Sequence, residues 1–227
     1  MEAKLVGPSR IPDLCNLIDT WPAVVIDCET TGVEPYQGSE TLGVGLGNLA
    51  EDGIYYYVPV RHRDADNVSL QEMSLLGSVL EKKPLVGWRV KFDLHFMRQW
   101  ILRIHSLYDV VVMCRLVSRT ENPILDLKHQ ANIQVGYTWS KEEVAKGRNH
   151  MEKFSVNDVG IYCCEDVQAT SRLYHHYKGM MNEELRKLFA LESRLSKLLF
   201  ETERRGIPFD FSSVLVQEET LFSTMEN

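Results

Sequence analysis

Ala23-Val24-Val25-Ile26-Asp27-Cys28-Glu29-Thr30-Thr31-Gly32 is the stretch on which the reading of this chain turns. Val24, Val25 and Ile26 form an apolar run of the kind a buried strand carries, and two acids follow, Asp27 at i and Glu29 at i+2. Alternate side chains of a strand share a face, so both carboxylates point the same way. Like charges that close repel, and burial penalises them further, unless a cation lies between them. A divalent metal ion is one remedy. The other reading makes Asp27 and Glu29 the start of a solvated turn ending at Gly32, and the rest of the chain decides between the two.

At 227 residues and 44% hydrophobic content the chain can bury one substantial core and carry a helical appendage. A net charge of -7 argues against a uniformly basic nucleic-acid surface, yet an acidic metal site can coexist with a local basic track. The five cysteines (Cys15, Cys28, Cys114, Cys163, Cys164) are odd in number and contain no C-x-x-C pair. They sit mostly in apolar runs, which suits reduced, buried thiols in a cytosol-like compartment, with a nucleoid or viral replication site as variants of that expectation. No stretch approaches 18 uninterrupted apolar residues and Met1-Glu2-Ala3-Lys4 does not begin a signal peptide, so neither secretion nor a membrane span is expected.

Leu14, Leu17 and Ile18 recur at helical spacing before the acidic strand. After Gly32 and a polar turn, Thr41–Gly47 and Gly53–Val60 read as two further strands, joined through Glu51-Asp52-Gly53 into an antiparallel meander with the first. Gly43, Gly45 and Gly47 imitate a nucleotide loop, but no helix follows them, so they are assigned to strand packing. Arg61 to Asn67 reads as a surface loop, and Ser69 as the cap of a helix through Leu80. Pro84–Trp88 is a short strand that gives way at once to a helix marked by Phe92, Phe96, Trp100 and Ile101, with Asp93 in its first turn. Strand C-termini deliver functional groups in α/β folds, and Asp93 stands at such a place.

Tyr108–Val112 reads as a strand or as a strand entering a helix, and Leu125–Val135 as a helix stopped by Gly136. The most basic stretch has Lys141, Lys146, Arg148, His150 and Lys153 around Trp139. It is either a solvated loop or an arm whose cations track phosphates while the aromatic stacks on a base. Ser155 and Asp158 form a capping pattern that opens a long helix, on which Tyr162 and Asp166, four residues apart, share a face. Glu165 falls off that face and is expected in solvent. A last amphipathic helix, about 182 to 205, is expected to pack through Leu185, Leu188, Leu191, Leu195, Leu198 and Leu199 and to stop at Gly206. No His cluster has ligand spacing, which argues against a zinc hydrolase, and His95 and His129 read as ordinary surface or packing residues.

Three segments, Asp27-Cys28-Glu29-Thr30-Thr31-Gly32, Val90-Lys91-Phe92-Asp93 and Tyr162-Cys163-Cys164-Glu165-Asp166, resemble in order and spacing the DEDD superfamily of 3′-5′ exonucleases, in the subclass with a tyrosine in the third motif. The resemblance covers about residues 20 to 180 and is nearest to the proofreading domains of family A DNA polymerases. Glu203-Arg204-Arg205-Gly206-Ile207-Pro208-Phe209-Asp210 is similar to the segment that leads such domains into the polymerase thumb. It implies an α/β, RNase H-like mixed sheet with flanking helices over residues 1–180, and a helical extension over 181–227. Its chemistry implies two Mg²⁺ or Mn²⁺ ions, with Asp27 serving both, Glu29 and Asp166 completing one position and Asp93 holding the other. Tyr162 would orient the attacking water, and Thr30, Val33 and Phe92 would line the place of the terminal nucleotide, although core packing explains Val33 and Phe92 equally. One departure stands out: Arg89 occupies the position where the family usually has asparagine, and a phosphate contact is its expected role. The implied activity is removal of 3′-terminal nucleotides from single-stranded or frayed DNA, with a polymerase module as a partner. RNase D-like trimming of RNA and a catalytically silent docking domain are the alternatives, the latter disfavoured by the intact acids.

Overall fold

The computed structural model describes residues 1–50 and 53–225, together with all but a few of their side chains. Six strands form one sheet: β1 (Glu2–Leu5), β2 (Val24–Thr30), β3 (Thr41–Asn48), β4 (Ile54–Pro59), β5 (Pro84–Gly87) and β6 (Ser106–Asp109), in the order β1-β4-β3-β2-β5-β6. β2, β3 and β4 make the expected antiparallel meander, while β5 and β6 add in parallel beyond β2. Of the turn expected at Glu51-Asp52-Gly53, the first two residues lie outside the described ones. β1, which pairs in parallel with β4, was not legible from its four residues.

Nine helices are described: α1 (Ile11–Asp19), α2 (Leu70–Leu80), α3 (Lys91–Met97), α4 (Val110–Val117), α5 (Leu127–Val135), α6 (Glu142–Lys146), α7 (Val156–Met180), α8 (Glu183–Arg205) and α9 (Phe211–Met225). Strand alternation sorts β2 onto two cores. Val24, Ile26 and Cys28 join Leu14, Ile18, Met73 and Leu76 of α1 and α2 on one side. Val25 joins Tyr55, Tyr57, Val159, Cys163 and Val167 on the other, and Asp27 and Glu29 belong by alternation to that second face.

The glycines of β3 explain how α7 comes so close. A Cβ on Gly45 would stand 2.7 Å from Cys163 Sγ, and one on Gly47 would stand 2.7 Å from the Tyr55 ring and 2.9 Å from Val167. Strand packing is therefore their role, and the missing side chains let α7 lie directly on the sheet beside β2.

α8 corrects an expectation. It runs over the expected residues and ends at Gly206, but Phe189, Ser193 and Phe200 are its buried side chains. Leu188, Leu191, Leu195, Leu198 and Leu199 are exposed. The apolar band of this helix is broader than one face, and contact with β6, α4 and α3 selected the edge bearing the phenylalanines.

Candidate active site

β2 carries Asp27 and Glu29 to the point where β5 has already ended, since β2 and β5 pair only at Val24 and Val25. The main-chain N–H of Cys28 is thereby released from the ladder, and Asp93 Oδ1 accepts it at 3.0 Å. The Cys28 thiol also approaches the Asp93 carbonyl, at 3.9 Å, so the first turn of α3 is tied to β2. From the other side, α7 supplies Cys163, whose thiol donates to Asp27 Oδ2 at 3.5 Å and faces its carbonyl at 3.7 Å. Tyr162 and Asp166, on the same helix, are both buried, and the Tyr162 hydroxyl hydrogen-bonds the Asp166 carboxylate. The donor atoms of Asp27, Glu29 and Cys163 lie within 4.8 Å of one another.

The electrostatics follow from crowding acids in a dry place. Burial pushes the Asp27 carboxyl well above the ordinary range, and repulsion from Asp93, Asp166 and Glu29 adds to it. Glu29 is raised by burial and then by Asp166 and Asp93, with Lys128 working against the shift. Asp93 is raised by burial, opposed by the Cys28 amide. Asp166 is pushed up to about 7, chiefly by burial, against the pull of Lys128, the Trp139 indole and Tyr162. Tyr162 is itself raised by burial and by Asp166 and Glu29, so its phenol stays protonated and acts as a donor. A cluster of carboxylates that repel and resist ionisation fits hard divalent cations, which prefer oxygen ligands and would remove the penalty. Glu165 Oε2 is buried and without a hydrogen-bond partner among the described residues, and repulsion from Glu165 raises Asp166 further.

Several residues were not anticipated. Trp139 donates its indole N–H to Asp166 at 2.5 Å, so this aromatic of the basic stretch is turned inward to the acids and is not a free stacking platform. Lys128 places its ammonium over the rings of Tyr162 and Trp139, 4.5 and 5.3 Å from their centroids. Glu165, expected in solvent, is buried because Ser140 N–H donates to its Oε1 at 2.8 Å. In the basic stretch, Lys141 pairs with Asp158 at 2.6 Å; the Arg148 side chain lies outside the described ones. A lone lysine and a tryptophan in a polar loop leave no periodic signal, and only the third dimension reveals their partner.

Arg89 is exposed and adopts φ 57°, a left-handed conformation that costs a non-glycine residue about 1 kcal/mol or more. Two bonds hold it there: its N–H donates to Asp109 Oδ1 at 3.0 Å and its guanidinium to the Leu125 carbonyl at 3.1 Å. With Lys91, Phe92 and Arg115 it lines a cavity of about 760 Å³ between α3, α4 and α8. Phe92 also packs on Phe96, ring centroids 5.0 Å apart. Thr30 closes its own turn by donating to Gly32 O at 2.7 Å, and Val33 is 68% exposed in the following loop, which removes core packing as its explanation. Neither Thr30 nor Val33 lines the cavity that holds Arg89 and Phe92. His95, expected to be ordinary, is buried between Tyr36 and Glu203.

A mixed six-stranded sheet with acids at the end of its central strand, joined by acids from two helices, defines an α/β fold of the RNase H-like class. The chain belongs to the 3′-5′ exonuclease family of the DNA polymerase A type, matching it over residues 8–182. It is 23% identical over 215 residues to DNA polymerase DpoZ of Acinetobacter phage SH-Ab 15497, a match covering 85% of this chain and 32% of that protein. The chain thus spans about a third of the length of that relative. Among solved structures it resembles Escherichia coli RNase D, an exoribonuclease involved in structured RNA processing, with a TM-score of 0.63 at 15% identity over 92% of this chain and 52% of that one. Brucella melitensis NrnC with bound Mg²⁺ gives 0.61 at 15%, over 93% and 100% of the two chains. Pol1 of M. smegmatis, in complex with DNA primer-template and dNTP, gives 0.65 at 15%, over 97% and 35%. At these identities the three structures establish the shared fold.

Proposed function

We propose that this chain removes nucleotides one at a time from the 3′ end of single-stranded or frayed DNA by metal-dependent hydrolysis. The reading rests on one observation: Asp27, Glu29, Asp93 and Asp166 are buried together, burial raises all four above the ordinary carboxylate range, and repulsion within the group adds to the shifts of Asp27, Glu29 and Asp93. Two Mg²⁺ or Mn²⁺ ions, when bound, supply neutralisation of that charge, activation of water and stabilisation of the leaving 3′-oxygen. Asp27, Glu29, Asp93 and Asp166 are the residues that would hold the ions. The Cys163 thiol and the Cys28 amide orient Asp27 and Asp93 for this task. Tyr162, kept protonated, orients the attacking water through its hydroxyl and takes no proton from it.

Arg89 and Phe92 grip the substrate strand in the cavity beside Asp93, Arg89 by charge to phosphate and Phe92 by stacking. Thr30 and Val33, next along the chain from Glu29, bound the place of the terminal nucleotide. DNA is favoured over RNA because the family is of the DNA polymerase A type and the phage relative is a DNA polymerase. The same relation supports a polymerase module as partner, with residues 181–227 as the start of a thumb-like element. The five free, buried cysteines suit a reducing compartment, and among the described residues no helix is long and apolar enough to cross a membrane.

The deciding experiment offers end-labelled DNA and RNA oligonucleotides with Mg²⁺ or Mn²⁺. A 3′-to-5′ ladder on DNA that disappears in Asp27→Ala and Asp166→Ala is the expected result. Preference for RNA would replace the substrate assignment, and no cleavage of either polymer would overturn the reading.

A further inference from the structure

α3, the helix that presents Asp93, is only seven residues long and has no side-chain cap at its N-terminus. So short a helix does not hold itself, and its orientation must come from what packs on it. Asp93 faces β2, while Lys91 and His95, two residues to either side and four apart, share the opposite face. A single carboxylate grips both. Glu203 Oε1 accepts from Lys91 Nζ at 2.6 Å, and Glu203 Oε2 lies 2.9 Å from His95 Nε2.

The grip extends further on each side. His95 Nδ1 lies 2.8 Å from the Tyr36 hydroxyl, in the loop that follows Asp27 and Glu29, and the Arg98 guanidinium sits over the Tyr36 ring, 4.5 Å from its centroid. Phe200, one turn before Glu203, is 1% exposed with its ring 4.8 Å from that of His95. Glu203 belongs to α8, beyond the matched exonuclease segment of 8–182. A side chain from the extension therefore braces the outer face of the helix whose inner face carries a catalytic acid.

We propose that Glu203 is a positioning residue for the hydrolysis: by clamping Lys91 and His95 it fixes α3, and through it Asp93, at the metal site. The inference rests on the proposed role of Asp93 as a metal ligand. It also makes the extension a working part of the exonuclease site, so that any displacement of the end of α8 is read out as a loss of metal grip.

The test compares wild type, Glu203→Ala and Glu203→Gln in the full chain. Glutamine keeps an oxygen for Lys91 and an amide N–H that His95 Nε2 accepts once the imidazole proton moves to Nδ1, where the Tyr36 hydroxyl oxygen takes it, so it should restore most of what alanine loses. Amide hydrogen exchange of residues 91–97 should quicken about tenfold in E203A while the sheet and α7 keep their protection, as loss of one charge-assisted tether implies. The Mn²⁺ concentration for half-maximal cleavage, at saturating oligonucleotide, should rise about tenfold in E203A and much less in E203Q. Wild-type values for both quantities in E203A would overturn the proposal, as would a uniform loss of protection across the domain. If the wild type cleaves nothing, the proposed function fails, and the local exchange rates still decide whether Glu203 holds α3.

Discussion

Asp93 accepts the main-chain N–H of Cys28 at 3.0 Å, across 65 positions of sequence, and so locks a helix acid to the strand that carries Asp27 and Glu29. One side chain thus does two things: its oxygen fills a gap in the ladder, and its charge adds to a repulsive cluster. Asp93→Asn separates them, because an amide oxygen still accepts the Cys28 N–H while the charge is gone. The metal-free variant should melt about 3 °C above wild type, since relief of about 1 kcal/mol moves a domain of this size by that much. Cleavage should fall about a hundredfold or more if Asp93 holds metal as proposed. Asp93→Ala, which strands the amide, should instead melt below wild type. Thermal melting in EDTA beside an end-labelled cleavage assay checks all three outcomes.

Trp139 and Asp166 pose a different question, because the indole N–H stabilises the charged form of an acid whose pKa burial has raised to about 7. Trp139→Phe keeps the ring over which Lys128 sits and removes only that donor. A hydrogen bond to a charged group contributes about 2 kcal/mol, so cleavage at neutral pH should drop about tenfold or more. Raising the pH should recover part of the loss, because Asp166 then ionises without help. A pH-rate series for the two proteins measures it.

The meander, the strand-to-helix switch at Asp93 and the Tyr162–Asp166 pair were legible because each is written locally, as an apolar run, a change of period or a four-residue spacing. What was not legible depends on chain segments meeting. Glu165 looks solvated by its helical position, yet the Ser140 amide draws it inside. Trp139 and Lys128 reach Asp166 and Tyr162 from 27 and 34 positions away (166 less 139, and 162 less 128), with no spacing to announce them. α8 was found as a helix, but its many leucines hid which face would be buried, and Phe189 and Phe200 decided that by fitting the ends of β6 and α3.

The raised carboxylates also fix how stability responds to pH. An acid whose pKa is higher in the folded state keeps its proton there after the unfolded chain has lost it. Folding is then favoured at low pH and loses that support as pH rises from the ordinary carboxylate range to about 7 for Asp166. Asp27, Glu29 and Asp93 shift in the same direction and add to the effect. In EDTA the melting temperature should therefore fall between about pH 5 and pH 8. Mn²⁺ or Mg²⁺ at a hundred times its dissociation constant adds about 2.7 kcal/mol, so melting at pH 8 should rise by about 5–10 °C, with a smaller gain at pH 5. Equal gains at the two pH values would remove the carboxylate cluster as the metal site.

Gly45 ties packing to activity most directly, since it pairs with Asp27 across the ladder and lies beneath Cys163. A methyl group there would stand 2.7 Å from Cys163 Sγ, 2.9 Å from Val167 Cγ2 and 3.4 Å from the Cys163 carbonyl, so the Cys163 and Val167 side chains must shift, and because both are packed in the core α7 is expected to move with them. Overpacking of this kind costs about 1–3 kcal/mol, or about 3–10 °C of melting temperature. The same shift carries Tyr162 and Asp166 away from Asp27 and Glu29, so Gly45→Ala should lose cleavage well below its melting temperature, at 25 °C where the chain remains folded. Gly179→Ala, also in α7 but where a Cβ meets nothing within 4 Å, is the matched control and should leave cleavage unchanged and melting equal or slightly higher, since alanine is the better helix former. Circular dichroism melts and single-turnover cleavage at saturating metal distinguish a displaced α7 from simple unfolding. Full activity in folded Gly45→Ala would mean that α7 does not set the geometry of the acids.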